Sequence, residues 1–212
     1  VPASVLKLLE NHKNLGLHSE LFCPSMVNLI AKGVINGRKK RIMQHKHVYT
    51  LALGDKAMYD FMDDNPSIVG YPASWVNDPC VIRQNSYMVS VNSAIEVDIT
   101  GQINAETIKG TPFSGTGGQL DFVRGAFASH GGRSFIALHS TAKQGSLSRI
   151  VPCLTSTVTD TRMDAHYVVT EFGCVELKGL SLAQRARALI GIAHPHFRDE
   201  LEAQARSLGL FG

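Results

Sequence analysis

The sequence predicts a layered α/β fold, and three observations carry that expectation. Short β-like runs alternate with helical runs through the last two thirds of the predicted elements, the order that builds a sheet covered by helices. A glycine loop, Ser114-Gly115-Thr116-Gly117-Gly118, opens straight into a helical run, Gln119 to Ser129. The chain closes on two helices that each carry one apolar face.

The bulk properties bound the problem. A chain of 212 residues suits one domain of fair size or two small ones, and 44% apolar residues are enough for a real core. The net charge of +3 is small. Basic residues concentrate at Arg38-Lys39-Lys40-Arg41, followed by His45, Lys46 and His47, and do not spread over the broad face a nucleic acid needs. That stretch reads as a solvated turn, with an anion contact as the alternative, and no nucleic-acid partner is expected. Cys23, Cys80, Cys153 and Cys174 form no C-x-x-C pair, so buried reduced thiols in a cytoplasmic protein are expected. His194-Pro195-His196 has no third ligand nearby in sequence, and no metal site is expected. No apolar run reaches the ~18 residues of a membrane span, and no signal peptide is visible.

Taken in order, Ala3 to Lys13 reads as a helix, with Val5, Leu6, Leu8 and Leu9 bounded by Pro2 and by Asn14 and Gly16. Leu15 to Leu21 alternates and reads as a short strand. Pro24 to Lys32 is helical and stops at Gly33. Asn36 to Lys46 is a basic loop or hairpin, and Val48 to Leu53 a strand. Asp55 caps a helix that runs to Met62. Ser67 to Gly70 is a strand, and Pro72 to Gln84 holds a turn and a helical segment around Asn77-Asp78-Pro79. Tyr87 to Val91 and Ala94 to Ile99 are strands in close succession. In the second, Ile95, Val97 and Ile99 face one way and Glu96 and Asp98 the other, with a turn at Gly101-Gln102. The glycine loop and its helix follow, with Leu120, Val123, Ala126 and Phe127 at helical spacing. Ser134 to His139, Ile150 to Leu154 and Tyr167 to Thr170 are strands, and Ser181 to Ile190 and Phe197 to Leu208 are helices.

The glycine loop is the most conspicuous chemical feature. Glycines cluster where the backbone turns tightly or must come close to something else. A helix N-terminus beyond such a loop presents N–H groups and favours negative charge, whether a phosphate or an oxyanion formed during a reaction. A loop that only needs flexible residues is the alternative.

Five ordered segments together resemble one family. They are Leu15-Gly-Leu-His-Ser-Glu20, Asn92-Ser-Ala-Ile-Glu-Val-Asp-Ile-Thr-Gly-Gln102, Gly115-Thr-Gly-Gly-Gln-Leu-Asp-Phe122, Tyr167-Val-Val-Thr-Glu-Phe-Gly173 and Ala193-His-Pro-His-Phe-Arg198. In that order they resemble the carboxy-terminal half of the acetyl-CoA hydrolase/transferase family, the group containing the 4-hydroxybutyrate, butyryl-CoA:acetate and succinyl-CoA:acetate CoA-transferases. The resemblance implies an α/β/α open twisted sheet of the CoA-transferase (NagB/RpiA-like) kind over residues 1–212. It also implies a second, amino-terminal domain or subunit as partner, because family members are about twice this length. Val1-Pro2 looks like the tail of the family's CoA-binding G-x-G-x-[IV]-P segment, whose glycines this chain lacks. An apolar face turned toward the missing half, able to support self-association, is expected.

The resemblance also implies a chemistry. A glutamate attacks an acyl-CoA thioester, and an enzyme-bound glutamyl-CoA thioester carries CoA to a second carboxylate. The position matching that nucleophile is Glu20, in His18-Ser19-Glu20, where the family usually has threonine at the middle position. Gly117 or Gly118 would donate a backbone N–H to the carbonyl oxygen, a contribution of about 3 kcal/mol in known oxyanion holes. The same loop matches the family's CoA-contacting segment, as do Ala94 and Ile95. Asn77 matches an asparagine near the reacting groups, with a helix N-cap or Asx-turn as its plain alternative. Glu96 is the rival nucleophile, although its strand position suits a hydrogen-bonded supporting carboxylate. Glu171 reads as the cap of a turn, Arg162 as one half of a surface ion pair, and Arg198 as the partner of a local carboxylate. No permanently bound cofactor is implied; coenzyme A is a substrate, alongside a small carboxylic acid. Three readings follow: a CoA-transferase of the acetyl-, butyryl- or 4-hydroxybutyryl-CoA type, a thioesterase in which water takes the acyl group, and a non-catalytic binding domain.

Overall fold

The structure is a computed structural model and describes residues 2–211; Val1 of the Val1-Pro2 reading lies outside them. The described residues divide into two compact units. The first runs to Met88 and includes Gly125–Gly132; the second holds Val89–Arg124 and resumes at Arg133.

The first unit is built on short parallel pairings. Leu15 bridges Ile35, and His18 bridges Val48. Leu21–Phe22 pairs with Leu51–Ala52, and His47–Tyr49 with Ile68–Gly70. The strand expected over Leu15 to Leu21 therefore pairs only at intervals. The one expected over Val48 to Leu53 breaks at Thr50, because the N–H groups of Thr50 and Leu51 both turn to the Glu20 carbonyl (3.1 and 3.0 Å). The first helix, Pro2–Lys7, is shorter than its sequence suggests. Beyond Lys7 the N–H groups of Leu8 and Leu9 reach back only three residues, to Val5 and Leu6, and Leu8 lies in the open.

Helix Pro24–Ala31 starts with proline at its first position, buries Met26 and Leu29, and is followed by Gly33 at φ 71°. Helix Lys56–Met62 is capped as expected, Asp55 Oδ1 accepting the Met58 N–H at 2.9 Å. Leu17, Phe22, Met26, Leu29, Val34, Ile35 and Met58 form the core of this unit.

The basic stretch departs from a solvated turn. Arg38, Lys39, Arg41 and His45 are exposed, but Lys40 and His47 are buried. Lys40 Nζ donates to the carbonyls of Leu17 and Lys46, both at 2.8 Å. Carbonyls offer only partial charge, so burial pulls the ammonium down to about 8.

The second unit carries a four-stranded sheet in the order Gly173–Glu176, Tyr167–Thr170, Arg133–Ala137, Val89–Ser93. The last three are parallel and the outer strand is antiparallel. That outer strand has no counterpart in the sequence reading. The chain reverses directly after Thr170, and Thr170 pairs with Gly173. A smaller sheet places Glu96–Asp98 between Ile150–Val151, which is parallel to it, and Ile103–Asn104, which is antiparallel. Asp98, expected on an outward face, is buried at 1% exposure. Its carboxylate closes the following turn, accepting from the N–H groups of Thr100 (2.9 Å) and Gln102 (3.1 Å).

Helix Gln119–Ala128 buries Phe122 and Val123, whereas Phe127, expected on the apolar face, is 47% exposed. Helix Leu182–Gly191 starts with a reciprocal capping box between Ser181 and Gln184. Helix Pro195–Ser207 starts at His194, whose side chain accepts from the His196 N–H. Ala186, Leu189, Leu201 and Ala205 are buried as the periodicity requires, while Leu182 and Leu208 at the ends are exposed. The cysteines overturn their expectation. Cys80, Cys153 and Cys174 are exposed and Cys23 is half-buried, all four as free thiols. Cys174 lies on the unforeseen edge strand, and Cys80 in the first turn of the short helix Pro79–Ile82. No helix among the described residues is long and apolar enough to cross a membrane.

Candidate active site

Main-chain hydrogen bonds on both sides tie the Glu20 segment to the first unit. The Ser19 N–H donates to the Val48 carbonyl at 3.0 Å, and the Glu20 carbonyl accepts from Thr50 and Leu51. His18 is buried, at 6% exposure, and Glu20, two residues on, is half-buried. His18 Nε2 lies 2.8 Å from the Val76 carbonyl, so it carries the proton and donates. Burial holds His18 below its ordinary pKa against the opposing pull of that carbonyl. The neutral ring thus pins the Glu20 segment to the short helix Ala73–Val76.

Asn77 ends that same helix. It is the C-cap of Ala73–Val76, in right-handed helical conformation (φ −89°, ψ −2°), while Asp78 caps the next helix. The N-cap alternative for Asn77 is therefore replaced by a C-cap. Its Nδ2 donates to Glu20 Oε2 at 3.1 Å. An ionised carboxylate only accepts, which fixes the orientation of the Asn77 amide. Its Oδ1 is then turned into the protein, buried and without a hydrogen bond. Two residues singled out separately in the sequence thus meet directly, and both are positioned by the Ala73–Val76 helix.

The remaining expected site residues belong to the second unit. Gly115, Thr116 and Gly117 are exposed and Gly118 is buried. Gly117 takes a left-handed φ of 55°, a conformation any side chain would strain. Ala94 is 7% exposed and belongs to the apolar core, and Ile95 is half-buried, its N–H on the Asn104 carbonyl at 2.8 Å. Glu96 Oε1 accepts from Asn104 Nδ2 at 2.9 Å across the hairpin, a supporting arrangement.

Three polar pairings were not foreseen. Glu171 does not merely cap its turn: it accepts from both the N–H (2.8 Å) and the Oγ (2.7 Å) of Ser140, tying together the ends of two parallel strands. Burial works against its charge, but the Ser140 hydrogen bonds outweigh it and hold the carboxyl below its usual range. Gln119, the first residue of its helix, donates to buried Asp160 at 2.7 Å. Arg124 forms a two-pronged ion pair with Asp164. None of these has a periodic sequence signal, because each joins segments at least 31 positions apart. Among the described residues Arg198 does not pair with the carboxylate expected of it. Its Nε donates to the Ala193 carbonyl at 2.9 Å, and its guanidinium lies 5.8 Å from the Phe172 ring centre.

Comparisons with known proteins fit this picture. Residues 54–205 match the family described as the acetyl-CoA hydrolase/transferase C-terminal domain. The 4-hydroxybutyrate coenzyme A transferase of Clostridium kluyveri is 48% identical over 203 residues, which are 95% of this chain and 47% of that protein. The succinyl-CoA:cyclohexane-1-carboxylate CoA transferase of Geobacter metallireducens is 47% identical over 98% of this chain and 48% of its own. The crystal structure of RipA from Yersinia pestis superposes with a TM-score of 0.93 at 45% identity, covering 99% of this chain and 47% of that one. The chain spans about half the length of the relatives it matches. Glu20 lies ahead of the family match but within a likeness that covers nearly the whole chain, and Asn77 lies inside both. With its α/β sheet and these relatives, the chain belongs to the acetyl-CoA hydrolase/transferase family and carries that family's C-terminal domain.

Proposed function

We propose that this chain supplies the catalytic carboxylate of an acyl-CoA:carboxylate CoA-transferase, with Glu20 as nucleophile. The observation that carries the reading is the hydrogen bond from Asn77 to Glu20 at 3.1 Å. It holds a half-exposed carboxylate on a rigid backbone, the preorganisation that nucleophilic catalysis rewards.

The steps balance without an added reactant. A Glu20 carboxylate oxygen attacks the thioester carbonyl, the C–S bond breaks, and CoA leaves as thiolate from an acyl–glutamyl anhydride. The thiolate then attacks the glutamyl carbonyl and expels the acyl group as a free carboxylate. A second carboxylate attacks the glutamyl-CoA thioester, and the same two exchanges return Glu20 and release a new acyl-CoA. Asn77 Nδ2 remains aimed at the position-20 oxygen as it changes from carboxylate to carbonyl. The glycine loop at Gly117 and Gly118, with Ala94 and Ile95, serves the coenzyme A side of the reaction; the exposed, side-chain-free backbone at Gly117 suits close approach of a phosphate or an oxyanion. On this reading residues 1–212 act as the C-terminal catalytic domain beside an amino-terminal CoA-transferase domain or subunit. The substrates are acyl-CoA esters of small acids, as the names of the relatives suggest.

The test is intact-protein mass spectrometry after incubation with acetyl-, butyryl- or succinyl-CoA, with and without an amino-terminal half. A borohydride-sensitive CoA adduct on Glu20 is expected, and none on the Glu20→Gln variant. An adduct on Glu96, or CoA release to water without an acceptor acid, would displace this reading.

A further inference from the structure

The basic loop, residues 36–46, is fixed before the Lys40 side chain leaves it. The N–H groups of Asn36 and Gly37 share the Leu15 carbonyl, both at 3.0 Å, and the Gly37 carbonyl accepts from Lys40 (3.2 Å) and His45 (3.1 Å). Asn85 Oδ1 takes the Arg41 N–H at 3.2 Å. From this base the Lys40 stem runs against Gly16, where an added Cβ would lie 2.7 Å from Lys40 Cγ. Its Nζ ends on the Leu17 and Lys46 carbonyls, both at 2.8 Å. Leu17 stands on the segment that leads to Glu20, and Lys46 directly precedes the strand His47–Tyr49. The Leu17 carbonyl also takes the Val48 N–H at 3.2 Å, and the Ser19 N–H returns to the Val48 carbonyl at 3.0 Å. The ammonium therefore sits on a rung of the pairing that carries Glu20.

A buried ammonium held by carbonyls is costly, because no opposite charge offsets its lost hydration. Lys40 is 8% exposed and forms no ion pair among the described residues. Burial lowers it from 10.5 to about 8. Between those values the unfolded chain holds a proton that the folded chain gives up, so stability rises with pH across that window and the charge weakens the fold below it. What the charge does provide is a strong, directed grip on two carbonyls.

We propose that Lys40 is a positioning residue for Glu20, its ammonium fixing the Glu20 segment against the strand His47–Tyr49 through the Leu17 and Lys46 carbonyls. This role rests on the reading of Glu20 as nucleophile. The titratable groups on the elements packed against Lys40 are His18 and Glu20 on the Leu17 segment and His47 on the neighbouring strand. Burial first, with the Lys40 charge added, favours the neutral form of both imidazoles. On its own loop Arg38, Lys39, Arg41 and His45 are exposed, and Lys46 turns its Nζ to the Pro66 carbonyl at 2.6 Å. Loss of the Lys40 proton therefore weakens the grip with no neighbouring cation placed to take it over.

Carbon-13 NMR of the full, uniformly labelled chain tests the grip directly. Between about pH 6.5 and about pH 9.5 the backbone carbonyls of Leu17, Lys46 and Glu20 should shift together, with one inflection near the Lys40 value. Lys40→Met keeps the apolar stem without charge or N–H, and should abolish that inflection. With acetyl-CoA and an amino-terminal half, Lys40→Met should lower the maximal rate of Glu20–CoA adduct formation about 10-fold at an unchanged half-saturating concentration. A lysine that only supports the fold would leave that maximal rate alone. A wild-type Glu20 carbonyl without the inflection would overturn the proposal and needs no variant to fold. So would a maximal adduct rate in Lys40→Met equal to that of the wild type. An adduct on Glu96 in place of Glu20 removes the nucleophile reading, while the carbonyl titration still decides whether Lys40 holds the segment.

Discussion

Asn77 and Glu20 lie 57 positions apart and meet through one hydrogen bond of 3.1 Å, donated by the amide to the carboxylate. The bond is charge-assisted, so its loss should cost about 1.5–3 kcal/mol of orientation at the nucleophile. Asn77→Ala should slow formation of the Glu20–CoA adduct by one to two orders of magnitude, about 10- to 100-fold. Asn77→Asp should slow it further, because a second negative charge would face Glu20 and favour its protonated, non-nucleophilic form. An adduct rate unchanged in Asn77→Ala would remove Asn77 from the chemistry.

Phe22 is fully buried directly after Glu20–Leu21 and anchors the first unit's core. Phe22→Ala should lower unfolding stability by about 3–5 kcal/mol in urea titration. A loss below about 1 kcal/mol would mean that the cavity collapses and that this core does not hold the site.

His47 gives the protein an acid-sensitive element. Burial, reinforced by nearby Lys40, lowers its folded pKa from 6.5 to about 4. Between those values the unfolded chain takes up a proton that the folded chain refuses, so stability falls as pH drops from about 6.5 to about 4. Above that window the group contributes no slope. His18, shifted in the same direction, adds to the effect. Urea unfolding at several pH values should show a shallower acid slope for His47→Leu than for the wild type.

Two glycines should respond in opposite ways to the same substitution. A Cβ on Gly132 would lie 2.1 Å from the Ala126 carbonyl oxygen, whereas one on Gly191 would meet nothing within 4 Å. Gly132→Ala should destabilise by about 1–3 kcal/mol or more, since backbone must move. Gly191→Ala, the last residue of its helix, should stabilise by about 0.4–1 kcal/mol by restricting the unfolded chain. Thermal melts of the two variants provide the check.

Local chemistry was legible in the sequence wherever one segment determined its own shape. The Asp55 cap, the Gly33 stop, the Tyr167–Thr170 strand and the two C-terminal helices all follow from spacing and capping residues. Partners across long distances were not legible. Lys40 reads as one more charge in a basic run, yet it reaches back to the Leu17 carbonyl. Asp98 sits at an alternating position that should face water, but the turn after it wraps onto its carboxylate. The strand Gly173–Glu176 escaped notice because its glycine and glutamate disguise an edge position, where one face and one side need no burial. Of the candidate site, Glu20 and Asn77 stand out through the family resemblance; that they touch, and that Gln119 leans on Asp160, is a property of the folded chain alone.

The doubly accepted carbonyl of Glu20 has a consequence for protein engineering. The main-chain ties at this position run to Thr50 and Leu51, and the half-buried side chain adds its bond from Asn77. Position 20 is thus a socket: aspartate, glutamine, serine or cysteine can be seated there on an unchanged backbone. New reactivity could be screened at this one residue without first repairing the fold around it.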